Sequence, residues 1–234
     1  DMSSARQTSR KAAAPADGTS QSAQEHVKEV VHTVLACHNR RQAMKDTEIR
    51  KLLSKDHLAA AARQFRDILG CELVKEGDRQ FLCNLPGMPV ILESTYDQQE
   101  ESKEGLLIVV LMYIFMAKNP VLENDMIKEH SLWEFLKLLE VNEEDSHKAF
   151  GLPSKLIGPS STAEFISQGW LSFEKRKGER DNEEILYDWG PRANHVVSPM
   201  AILESFCEIV GDKAEDWKYH YKRAAKAEQD RHPH

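Results

Sequence analysis

Cys37 and His38 come nearest in this chain to a nucleophile beside a base. They fall in a stretch of helical periodicity, where consecutive side chains diverge by about 100° and do not face each other. A nucleophile–base hydrogen bond needs the two groups within about 3 Å, so adjacency on a helix works against it. The chain has no H-E-x-x-H, no G-x-x-x-x-G-K phosphate loop and no G-x-S-x-G elbow. The ten histidines show no metal-ligand spacing, and the four cysteines, Cys37, Cys71, Cys83 and Cys207, form no C-x-x-C pair. These residues assign no catalytic group, no metal site and no cofactor. The cysteines lie among apolar neighbours and read as reduced, buried thiols of an intracellular protein; a Cys71–Cys83 bridge between adjacent strands is the other reading.

The remaining chemistry is electrostatic. The net charge is −7, and residues 93–234 hold 27 acidic against 17 basic groups, so contact with nucleic acid requires local basic patches. Two candidates stand out. Lys55, Arg63 and Arg66 lie in or beside one amphipathic segment, with Arg63 and Arg66 three residues apart on a shared face. Lys175, Arg176, Lys177 and Arg180 crowd a hairpin tip, read as a flexible cationic loop suited to phosphate without base specificity. Glu179, Asp181, Glu183 and Glu184 alongside leave a second reading open, a solvated tip with balanced charge.

The elements that carry these groups follow from periodicity and punctuation. Residues 1–23 lack a hydrophobic repeat and are expected to form a disordered tail. Residues 24–92 form a first module. Val27, Val30, Val31, Val34 and Leu35 make one helical stripe, Ile49, Leu52 and Leu53 a short second helix, and Leu58, Ala62, Phe65 and Leu69 a third that Gly70 stops. Cys71–Lys75 and Gln80–Leu85 around Gly77-Asp78 give a β-hairpin. Three helices and a two-stranded wing are the winged-helix order. Residues 93–104, polar and rich in Glu, read as a linker.

Residues 105–230 repeat that order. Leu106–Ala117 is an apolar central helix, broken by Asn119-Pro120, and Asp125–Leu139 holds a second with Leu132, Trp133, Leu136 and Leu139 on one face. Ser161 and Glu164 form an S-x-x-E capping box for a short third helix ended by Gly169. Trp170–Lys175 and Ile185–Trp189 make the second hairpin. Trp189-Gly190-Pro191-Arg192 then closes the ladder, with Arg192 a candidate donor to nearby carbonyls or carboxylates. Ser198-Pro199 opens a helix that Gly211 ends, and a last helix from about Lys213 to Gln229 carries Trp217 and Tyr221 one turn apart, expected to dock on the module. The fold class is mostly α with small β-hairpins (α+β): tandem winged helices with extra C-terminal helices. No secretory signal opens the sequence, and Leu106–Ala117 is too short to span a bilayer.

From about Val27 to Glu228 the chain resembles the MAGE homology domain family, most of all its non-SMC-element-three branch. The resemblance rests on Gly105-Leu106-Leu107-Ile108-Val109-Val110-Leu111 with Ile114-Phe115-Met116, then Leu132-Trp133-Glu134-Phe135-Leu136. Phe150-Gly151 with Pro153, Gly169-Trp170-Leu171, Trp189-Gly190-Pro191-Arg192, Ser198-x-Met200, and Trp217 with Tyr221 follow in order. The first module departs from the family, with Val34-Leu35 where a Leu-Leu pair is usual and Cys37-His38-Asn39 in place of a lysine-rich stretch.

The resemblance implies a non-catalytic nuclear, chromatin-associated adaptor. It would bind a RING-type ubiquitin ligase subunit through the first module and a kleisin through the second, among the SMC proteins of the five–six complex, with auxiliary duplex DNA contact. A ligase regulator selecting substrates outside that complex, and a free DNA-binding regulator, are the alternatives. The apolar stripe of the first helix is wider than one packing partner needs. A portion of it could stay exposed for a partner, and the resemblance makes Val30, Val34 and Leu35 the expected ligase interface, with core packing as the other reading. Trp133, Phe135 and Leu136 are the expected kleisin groove, again against a core reading for Trp133.

Overall fold

The structure, a computed structural model, describes residues 17–39, 44–52, 55–76, 79–84, 97–119, 121–122, 125–177 and 183–231. The first module runs α1 (Asp17–Asn39), β1 (Met44–Lys45), α2 (Asp46–Leu52), α3 (Lys55–Leu69), β2 (Cys71–Glu76) and β3 (Arg79–Asn84). Val27, Val30 and Val34 of α1, spaced three and four apart, meet Ala61 and Phe65 of α3 and Ile49 of α2 in a buried core. Gly70, at φ +60°, ends α3 in the left-handed region and turns the chain into β2. The strands pair antiparallel in the order β1-β3-β2, with Glu72 opposite Cys83 and Leu73 opposite Leu82.

The second module begins with α4 (Gln98–Ala117), followed by β4 (Ile127–Lys128), α5 (Glu129–Leu138), α6 (Pro153–Ile157), α7 (Glu164–Ser167), β5 (Leu171–Lys177) and β6 (Glu183–Trp189). Its sheet repeats the first, in the order β4-β6-β5. Val110, Leu111 and Ile114 of α4 are wholly buried against Leu132 and Leu136 of α5 and Tyr187 and Trp189 of β6. Packing on this body are α8 (Pro191–Val196), α9 (Pro199–Val210), a 3₁₀ turn (Ala214–Asp216) and α10 (Lys218–Arg231).

The α+β tandem architecture is the one read from the sequence; several boundaries are not. The helix α1 begins at Asp17, inside the expected tail of residues 1–23, because a helix already paid for by its packed turns extends upstream at little further cost. The expected 93–104 linker is in large part helix: Gln98–Glu104 forms the first two turns of α4. Glu, Gln, Ser and Lys support a helix as well as a linker, and Lys103 anchors these turns by ion pairs to Glu100 and to Glu164 of α7. The start of the Asp125–Leu139 helix is strand β4, which pairs Ile127 with Tyr187.

The Ser161–Glu164 capping box does not form. Ala163 is the N-cap of α7, while the Glu164 carboxylate accepts from Lys103 and Gln168. Pro191 ends the strand and also starts α8, at the first helical position. By contrast, α9 is as expected: Ser198 Oγ accepts from Ala201 N at 3.0 Å, and Gly211 ends the helix at φ +81°. None of the four cysteines is in a disulfide, and burial pushes the Cys83 thiol up to about 11. Trp217 docks edge-on against Phe206 at 5.0 Å between ring centroids, whereas Tyr221 is exposed.

Candidate functional site

The two modules meet through the first wing. Phe81 of β3 projects from the first sheet, and the Arg192 guanidinium of α8 lies over its ring, Cζ 5.2 Å from the centroid. The same guanidinium lies over the Trp170 ring, at 5.3 Å. A delocalised guanidinium over a ring face gains about 0.5–2 kcal/mol per face according to its desolvation, and Arg192 is buried. Two glycines permit this approach. Gly169 has φ +79°, and a Cβ there would lie 2.4 Å from Phe81 Cε1. Gly190 carries its backbone against Gly169 O, which a Cβ would meet at 2.3 Å. Arg192 N donates to Gly169 O at 2.9 Å and Gly190 N to Trp170 O at 2.8 Å, closing the turn. Arg79, two residues before Phe81, donates to the carbonyls of Ile166 at 3.2 Å and Ser167 at 3.4 Å at the end of α7. The Trp-Gly-Pro-Arg segment is thus the seam between modules: Arg192 engages aromatic faces, and Trp189 donates its indole N–H to Leu111 O at 2.9 Å.

Within the first module, Val30 and Val34 are 2% and 1% exposed. They form the module's own core, which corrects their reading as an open interface; α3 and α2 supply the packing partners that the width argument did not count. Leu35 is partly buried at the margin of that core. In the second module Trp133 and Leu136 are likewise core, at 5% and 0% exposure, leaving no open groove at these two positions. Phe135 is only partly buried, stacked on Tyr113 at 4.2 Å and 8°, and Leu138 and Leu139 beyond it are exposed.

The basic candidates separate. Arg63 and Arg66 are exposed on α3, with Arg66 Nη2 ion-paired to Glu72 at 2.8 Å. The side chain of Lys55 and the whole of Arg180 lie outside the described residues. Lys175, Arg176 and Lys177 belong to β5 rather than to a flexible loop, paired across the ladder with Ile185, Glu184 and Glu183. Lys175 bonds Glu183 at 3.2 Å and Arg176 bonds Glu174 at 2.7 Å, so acidic neighbours neutralise much of that cationic edge. Glu183 is opposite Lys177 and reaches Lys175 diagonally across the ladder, whereas Glu174 and Arg176 are neighbours two apart on β5 itself.

A second polar feature had no sequence signal. Lys118, just past α4, is 6% exposed and ion-paired to Asp188 of β6. Arg223 of α10 approaches from the far side, its Cζ 5.7 Å from the Phe115 centroid. Burial, together with the Arg223 charge, lowers the Lys118 pKa despite Asp188. No group of three or more histidine, cysteine or acidic residues placed to hold a metal occurs among the described residues.

Residues 85–199 match the model of the MAGE homology domain. Human melanoma-associated antigen F1 is 29% identical over 190 residues, covering 77% of this chain and 56% of that protein. The mouse non-structural maintenance of chromosomes element 3 homolog is 28% identical over 215 residues, 88% of this chain and 73% of that protein. Its human counterpart is 33% identical over 151 residues, 60% and 46% respectively. The chain therefore spans about half the length of two of these three relatives. Among solved structures, a chain of the "Nse1-Nse3-Nse4 complex" superposes with a TM-score of 0.73 at 26% identity, covering 88% of this chain and 98% of that one. By family model, relatives and shared fold, this chain carries a MAGE homology domain.

Proposed function

We propose that the protein is a non-catalytic adaptor that holds a RING-type ubiquitin ligase subunit and a kleisin together beside SMC proteins, in the nucleus and on chromatin. The observation that carries this reading is the likeness to a chain of the Nse1-Nse3-Nse4 complex along nearly that chain's whole length. The tandem winged helices, joined by a packed seam, suit two partners held at a fixed spacing. In this reading the ligase subunit meets the margin of α1 around Leu35, supported from beneath by Val30 and Val34. The kleisin meets the end of α5 around Phe135, Leu138 and Leu139, with Trp133 and Leu136 as the floor that positions them. Auxiliary duplex DNA contact falls to the exposed Arg63 and Arg66 and, more weakly, to the β5 edge.

Affinity capture of the full chain from nuclear extract tests the assignment. Co-recovery of a RING protein, a kleisin and SMC proteins supports it; recovery of none of the three overturns it. A RING protein recovered with unrelated partners favours the second reading, a ligase regulator outside the complex, which draws on the similarity to melanoma-associated antigen F1 across most of this chain.

A further inference from the structure

A cavity of about 110 Å³ opens where the ends of α4 and β6 meet α8, α9 and α10. That volume accepts several waters or one small organic ion, since a single water needs only about 10–15 Å³ by the same measure. One side of the lining is charged: Lys118, Asp188 and Arg223. The other is apolar: Phe115, Trp189, Pro199 and Ala227. Two fixed cations face one carboxylate, and that carboxylate is already engaged. Asp188 Oδ1 is ion-paired to Lys118 and accepts Trp189 N at 2.5 Å. Arg223 Nη1 is buried with no hydrogen-bond partner, although a guanidinium N–H shielded from water ordinarily finds an acceptor.

We propose that this cavity is a carboxylate-binding site, which receives an acidic peptide side chain with its oxygens on Arg223 and Lys118 and its methylenes on the Phe115 and Trp189 wall. The excess positive charge selects an anion. The apolar half favours a carboxylate on a short alkyl stem over a bare tetrahedral oxyanion, whose hydration shell such a wall cannot replace. The Arg223 fork matches a carboxylate's two oxygens, and attraction is strengthened where water is excluded. The peptide source rests on the adaptor reading; the site itself does not. Occupancy would tie α10 to the end of α4 and to β6.

Titration of the full chain with glutarate at constant ionic strength, followed by NMR at the Trp189 indole and the Asn194 side-chain amide, tests the site independently of partner capture. Saturable shifts are expected, weakened about tenfold or more in Arg223→Gln, the loss that follows from removing a hydrogen bond between charged groups. Ala227→Leu, which fills the apolar wall and leaves the cations, should also block glutarate and serves if Arg223→Gln does not fold. Absence of saturation in the wild type, or unchanged binding in both variants, overturns the proposal. Saturation by inorganic phosphate but not by glutarate overturns the carboxylate assignment. Glutarate binding with no RING or kleisin captured would leave the site standing and remove the adaptor as its context.

Discussion

Phe81 of the first wing and Arg192 of the second module are in face contact, the guanidinium carbon 5.2 Å from the ring centroid and 5.3 Å from that of Trp170. They lie more than a hundred residues apart in sequence and belong to different modules. The contact converts a turn segment with no catalytic group into the joint between the two modules. Arg192→Met should keep much of the packing and lose the cation–π attraction, costing about 1–3 kcal/mol in denaturant unfolding. A double-mutant cycle with Phe81→Leu should give a coupling energy clearly above zero, and strict additivity would show that the ring and the guanidinium are energetically independent.

Gly169→Ala should cost about 2–4 kcal/mol, since a Cβ at φ +79° is strained and would also overlap Phe81. Placing the same substitution in Phe81→Ala should recover the steric part and leave the strain. Equal costs in both backgrounds would argue against a tight seam.

Val34→Asp and Leu35→Asp should behave oppositely. Val34 is 1% exposed, so a carboxylate there should destabilise the first module by about 4 kcal/mol or more. Leu35→Asp should stay folded by circular dichroism and lose ligase capture while kleisin capture persists. Full ligase binding by a folded Leu35→Asp protein would remove this part of α1 from the interface.

Acid should loosen the first module through Asp46. Its carboxylate accepts from Lys75 at 2.8 Å, Gln80 at 2.6 Å and Arg50 at 2.7 Å, and these partners, Lys75 foremost, hold its pKa down to about 2. A pKa depressed on folding gives stability that is complete above the unfolded value of 3.8 and lost as pH falls through about 2. Asp46→Asn should flatten unfolding midpoints between pH 4 and pH 2 relative to wild type. An unchanged pH profile would show that the three contacts do not favour the charged form.

DNA affinity, measured across a salt titration, should fall more on reversing the exposed Arg63 than on reversing Arg66, Lys175 or Arg176, whose glutamate partners already offset their charge. Each phosphate contact removed should reduce the slope of log K against log salt by about one. Salt-independent binding would exclude phosphate contact as its source.

The helices and hairpins were legible because each is specified locally. Ser198, Pro199 and Gly211 bracket α9 by capping chemistry alone, and the alternation ending at Trp189 marks β6. The Gln98–Glu104 turns were not legible, because residues that solvate a linker also propagate a helix; the Lys103–Glu164 ion pair is made with a residue sixty-one positions away. The burial of four expected interface residues was not legible for a related reason. A stripe reports which face of a helix is apolar and not how many elements cover it, so Val30, Val34, Trp133 and Leu136 read alike whether bound by a partner or by their own module.

By itself, the sequence determined the two winged-helix modules and the motif order of the MAGE homology domain, both properties of neighbouring residues and their period. Only the tertiary structure decided which apolar positions remain at the surface, which acidic groups meet the cations of β5, and which distant groups meet at the seam and at the Arg223 cavity. These depend on how modules and helices pack across long separations, where elements with the same local pattern can meet different partners.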